Sequence, residues 1–96
     1  MAQESEVEVM LVDDNKDFCN LLKEFLNQQE DFAVAATAHD GVTALEKIEE
    51  HEFDVLVLDV IMPQLDGIGV LEEIKEKGLH DEFKIIMLRI YLNYPL

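Results

Sequence analysis

Apolar residues along the 96-residue chain alternate between two patterns, short β-branched runs and stripes at helical spacing. VEVMLV, at 7 to 12, is a short apolar run that stops at Asp13-Asp14-Asn15, and it reads as a strand. From Lys16 to Asn27, Phe18, Leu21, Leu22, Phe25 and Leu26 recur at i, i+3, i+4, i+7 and i+8, which predicts a helix with one apolar face. Cys19 lies near that face and reads as core. FAVAATA, at 32 to 38, is a second strand, and Asp40-Gly41 turns into a second helix carrying Val42, Leu45 and Ile48. Phe53 to Leu58, continued by Val60 and Ile61, is interrupted only by Asp54 and Asp59, as expected of a central strand covered on both faces. Gly67 to Lys77 predicts a third helix with Ile68, Leu71 and Ile74 inward and Gly78 ending it. KIIMLRIYL, at 84 to 92, is a fourth strand whose interior charge is Arg89.

Strands alternating with helices across short loops predict an α/β fold with a doubly wound parallel sheet, because each parallel crossover must hold a helix and be right-handed. All strand carboxyl ends then share one edge. Ligands of such sheets bind at that edge. Asp13 and Asp14 follow the first strand and Asp59 closes the third, so the three carboxylates converge if those strands are neighbours. Like charges so close need a cation between them. Magnesium, or another hard divalent cation, suits one or two carboxylates together with a phosphate. Asp59 can then act as a nucleophile toward a phosphoryl group, forming an acyl phosphate, in a reaction governed by positioning and charge neutralisation.

Composition narrows the partners. The 22 acidic residues against 7 Lys and Arg give a formal charge of -15, which repels nucleic-acid phosphates and anionic lipid and argues against direct nucleic-acid or membrane binding. The single Cys forms no internal disulfide, and no apolar run approaches the roughly 20 residues of a membrane span. MAQESEVEV lacks the basic and apolar segments of a secretory signal, so a cytoplasmic location is expected.

VDDN at 12 to 15, DVLVLDVIMPQLDG at 54 to 67 and KIIML at 84 to 88 resemble the response regulator receiver domains of two-component systems, over about residues 7 to 88. AHDGVTALE, at 38 to 46, is also in register, and within the family the resemblance runs nearest to receivers of sporulation regulators. The resemblance implies a flavodoxin-like sheet of order 2-1-3-4. It also implies that Asp59 is the phosphoacceptor, that Asp13 and Asp14 are the acidic pair at the metal, and that the Ile61 backbone carbonyl is a further ligand. Pro63 and Gly67 match the turn that follows the site; Pro63 fixes a backbone angle and Gly67 permits a sharp helix entry. A histidine kinase or phosphotransfer protein is the implied phosphoryl source. The domain is expected to be a phosphoacceptor rather than an enzyme.

The chain departs from the family pattern at its end. The family places Thr or Ser after the fourth strand, then a helix, a fifth strand ending in Lys and a last helix. Here Arg89 stands at the Thr position and IYLNYPL follows, so the expectation is a single C-terminally truncated receiver over residues 1 to 96, with 89 to 96 a divergent tail. Arg89 either reaches the acid cluster or leaves the sheet edge for solvent, the second being favoured. An apolar edge at the fourth strand predicts a homodimer through Lys84 to Leu96, with exchange of terminal segments as one route.

Other readings of the same residues are weaker. Asp13, Asp14 and Asn15 could merely cap the first helix, which leaves Asp59 unexplained. Asp13, Asn15, Asp17 and Glu24 match four positions of a calcium loop, but Phe18 stands where that loop needs Gly and a strand precedes it. An aspartate-nucleophile phosphatase needs Asp-X-Asp after the first strand and a substrate pocket, whereas these acids are adjacent. A non-switching dimerisation or decoy module is the remaining alternative. His39, His51 and His80 read as solvated residues of turns and helix ends, and EEIKEKG at 72 to 78 as the polar side of the third helix.

Overall fold

Four β-branched runs become strands and the three stripes become helices: β1 (Val7–Val12), α1 (Lys16–Asn27), β2 (Phe32–Ala38), α2 (Gly41–Glu50), β3 (Val55–Asp59), α3 (Gly67–Glu76) and β4 (Lys84–Leu88). The structure, a computed structural model, describes residues 6–62 and 64–88. All strand pairs are parallel and the order is β2-β1-β3-β4, the doubly wound arrangement expected of the sequence. β1 and β3 are therefore neighbours, with Val12 beside Leu58.

Alternation along the strands sorts their side chains onto two faces. Val9 and Leu11 point toward α1, where they meet the fully buried Cys19 and the partly buried Leu22 and Leu26. Met10, Val12, Leu56 and Leu58 point the other way, into a larger cluster closed by Ala44 and Ile48 of α2 and Val70 and Ile74 of α3. The sheet is thus sandwiched between one helix and two. Burying a Leu- or Ile-sized side chain contributes roughly 1.5–3 kcal/mol, so these two clusters supply most of what fixes the loops at the carboxyl edge.

Local chemistry sets the helix ends. Asn15, Asp40 and Asp66 cap α1, α2 and α3, their side chains accepting from the N–H groups of Phe18, Thr43 and Gly69. Gly78, at φ 72°, ends α3 in a Schellman motif, with Gly78 N–H donating to Lys75 and Leu79 N–H to Ile74.

Some helix orientations differ from the sequence reading. Leu21 and Phe25 are exposed on α1, Val42 is exposed on α2, and Ile68 is exposed on α3, where Val70 is buried instead. The reason is common to all. The apolar stripes are wide, and the sheet contacts only one edge of each, in α1 the edge carrying Cys19. β3 ends at Asp59, so Ile61 lies beyond it and is exposed. β4 is described to Leu88, and the predicted strand residues 89 to 92 lie outside the described residues.

Candidate acidic site at the carboxyl edge

The neighbouring ends of β1 and β3 bring three predicted residues together: Asp13, Asp14 and Asp59 each offer a carboxylate oxygen, all within 4.8 Å of one another. Asp13 is buried, Asp59 half-buried and Asp14 exposed, so the group opens to solvent on one side. Among the described residues the ion pairs are Lys77 with Glu49 and His80 with Asp81, neither of which involves this triad. The three acids therefore face one another without a described basic partner.

Electrostatics record that crowding. The Asp59 carboxyl is pushed up from 3.8 to about 6, first by burial and further by Asp13 and Asp14, with the N–H of Ile61 working in the opposite direction. That N–H donates to Asp59 Oδ1 at 3.2 Å. Asp13 Oδ1 accepts the N–H of Asn15 at 2.9 Å, which turns the chain from β1 into the Asn15 cap of α1. Capping of α1 thus falls to Asn15, and the acidic pair faces Asp59. A strand leads into this turn, which removes the helix that a calcium loop requires before it.

An oxygen-only set of carboxylates, with no described cation beside it, fits a hard divalent ion such as magnesium. Asp59 sits on the rigid end of a central strand, where its carbonyl side is closed by Gly67. A Cβ on Gly67 would overlap the Asp59 carbonyl oxygen and come within 2.8 Å of the Cα of Val60. Gly67 is needed for this close approach of α3 to β3 rather than for an unusual backbone angle, since the positive-φ glycine is Gly78. Ile61 is placed in the loop just after Asp59; Pro63 and Arg89 lie outside the described residues.

The histidines divide. His51 and His80 are exposed, as expected, but His39 is partly buried, with Nδ1 3.1 Å from the backbone oxygen of Asp13. A carbonyl only accepts, so Nδ1 carries the proton. The sequence reading as solvated surface is corrected here: His39 follows β2 directly and therefore shares the carboxyl edge with the acids. Its place one residue past a strand was the available signal.

The same fold recurs in known proteins. The response regulator receiver domain profile matches residues 9–94. The response regulator domain of CheB from Thermotoga maritima is 34% identical, with a TM-score of 0.79, over 88% of this chain and 60% of that one. A chain of the CheX–CheY–BeF3–Mg2+ complex from Borrelia burgdorferi is 32% identical, with a TM-score of 0.76, over 86% of this chain and 61% of that one. The receiver domain of the putative response regulator NarL from Mycobacterium tuberculosis is 28% identical, with a TM-score of 0.81, over 95% and 71% respectively. The chain thus spans less than two thirds of the length of the first two. With the β2-β1-β3-β4 sheet, the three acids at its carboxyl edge and a profile match covering most of the sequence, this chain belongs to the response regulator receiver domain family.

Proposed function

We propose that Asp59 is a phosphoacceptor in two-component signalling, taking a phosphoryl group from a histidine kinase or a phosphotransfer protein. The observation that carries this reading is the triad itself, three carboxylates within 4.8 Å at the end of a central strand. A carboxylate oxygen of Asp59 bonds to phosphorus as the bond from phosphorus to the donor nitrogen breaks, leaving an acyl phosphate on the protein. Asp13, Asp14, Asp59 and the carbonyl of Ile61 would hold a magnesium ion, which when bound neutralises charge on the transferring oxygens. Burial keeps Asp13 fixed, and the N–H of Ile61 orients one oxygen of Asp59. The domain acts on itself in this scheme and is not an enzyme with turnover.

The register of AHDGVTALE with the other motifs supports an output of the sporulation type, as in the receiver of stage zero sporulation protein A, exerted through an effector domain outside these residues. A second reading is a dimerisation module that keeps the fold without the switch. It is supported by β4, the edge of the sheet among the described residues, on which Ile86 is 52% exposed; an apolar strand edge of this kind favours pairing with a second copy.

One experiment separates the readings. Incubation with acetyl phosphate and magnesium should add the mass of one phosphoryl group to the intact chain, and Asp59→Asn should abolish the addition. No mass gain in the native protein while magnesium still binds would leave the second reading standing.

A further inference from the structure

The motif from Ala38 to Gly41 has no role in the reaction, yet it touches both arms of the acid cluster. On one side it holds Asp13 by its backbone: the Asp13 N–H donates to the Ala38 carbonyl at 3.1 Å, and His39 Nδ1 donates to the Asp13 carbonyl at 3.1 Å. The turn is itself tied to α2, because Asp40 accepts from the N–H of Thr43 at 2.7 Å and from its hydroxyl at 3.0 Å. On the other side Gly41 lies against Leu65, in the loop that follows Asp59. A Cβ on Gly41 would overlap the Leu65 carbonyl oxygen and sit 2.8 Å from its Cβ. Gly69 closes the slot from α3, where an added Cβ would overlap Leu65 Cδ1 and lie 3.3 Å from its Cγ. Gln64, just before Leu65, has φ 64°, a left-handed conformation that non-glycine residues rarely adopt. Such strain persists where surrounding contacts over-determine it, and the seating of Leu65 between two glycines is such a contact.

We infer that the turn from Ala38 to Gly41 is a positioning bracket, setting Asp13 through His39 and the loop after Asp59 through Leu65, so that the spacing of the acids depends on residues that lend no oxygen to the cation. His39 and Leu65 are positioning residues in this scheme. The inference rests on the cation site proposed above. The loop between Asp59 and α3 is otherwise pinned by Val60, which donates to Leu88 at 3.1 Å and accepts from Gly67 at 3.0 Å, and by the buried Met62. Those contacts fix it to β4, α3 and the core, and none ties it to Asp13. Besides the contact between Asp14 and Asp59 within the acid cluster itself, the bracket links the two acid-bearing loops outside the sheet.

The test is calorimetric titration of the full chain with magnesium, for the native protein, His39→Ala, Leu65→Ala and the double variant. His39→Asn, whose amide can still donate, and Leu65→Met serve as rescues, and Ile74→Val as a core control. Each alanine variant should weaken magnesium binding about tenfold, as losses around a metal's ligands typically do, and the double variant should lose less than the product because the two act as one unit. The rescues should stay within about threefold and Ile74→Val should lower stability without changing affinity. Native affinity in both alanine variants, or affinity that follows stability in Ile74→Val as well, would overturn the bracket. If the native chain binds no magnesium, the cation reading fails, and amide resonances decide the bracket without metal. His39→Ala should then shift the Ile61 amide and Leu65→Ala the Asn15 amide, each across the bracket. Shifts confined to the mutated side would refute it.

Discussion

Gly67 presses against the backbone of Asp59, leaving no room for a side chain between the start of α3 and the end of β3. Gly67→Ala must push α3 outward or displace Asp59. A loss of about 1–3 kcal/mol in a urea unfolding experiment is expected, as for other overpacked sites, with slower phosphoryl uptake from acetyl phosphate. Unchanged stability would contradict the close approach.

Asp59 also makes stability depend on pH. Its carboxyl in the folded, metal-free protein is raised from 3.8 to about 6, mainly by burial and then by Asp13 and Asp14. The folded state therefore binds this proton more tightly than the unfolded chain. The stability it contributes is fully present below about pH 4 and lost as pH rises through about 6. Asp59→Asn escapes that loss. Relative to the native protein it should gain about 1 kcal/mol between about pH 4 and about pH 7.5, a figure reduced for the solvent that reaches this half-buried group. Parallel urea midpoints for the two proteins across this range would contradict the electrostatic account.

Magnesium should reverse the penalty at neutral pH. At a free concentration about 100 times the dissociation constant, binding to the folded state alone contributes about 2.7 kcal/mol, and a chelator should remove it. Asp13→Asn and Asp59→Asn should each lose most of this gain, read as the difference in melting temperature with and without magnesium. A gain that survives both substitutions would place the ion elsewhere.

Self-association through β4 makes a prediction with a salt dependence. Two copies of formal charge -15 repel one another, while the half-exposed Ile86 favours contact. Light scattering should show a dimer whose population rises with added sodium chloride, and Ile86→Glu should lower it at every salt concentration. A monomer at about 1 mM protein in high salt would remove the dimer reading.

Much of this molecule is legible along the chain because its signals are local. β-branched runs ending at Asp13 and Asp59, helical stripes and the turn at Asp40-Gly41 each depend on neighbours a few residues away, whereas the caps at Asn15 and Asp66 came from the structure. The strand order needed the family resemblance, and the structure has it as β2-β1-β3-β4. Orientation was less legible: Val42 and Ile68 belong to apolar stripes by spacing but face outward. Which edge of a stripe is buried depends on how each crossover settles on the twisted sheet, and no local pattern encodes that.

By itself the sequence determined the element types, the parallel sheet and the identity of the three acids, since period, turn chemistry and strand-end carboxylates are properties of short segments. Only the tertiary structure decided that the acids stand within 4.8 Å, that Gly67 is there for close packing and that His39 reaches the backbone of Asp13. The first and last of these are distances between residues separated by a whole crossover or more, the Gly67 contact spans the loop from β3 to α3, and all are set by packing the helices against both faces of one sheet.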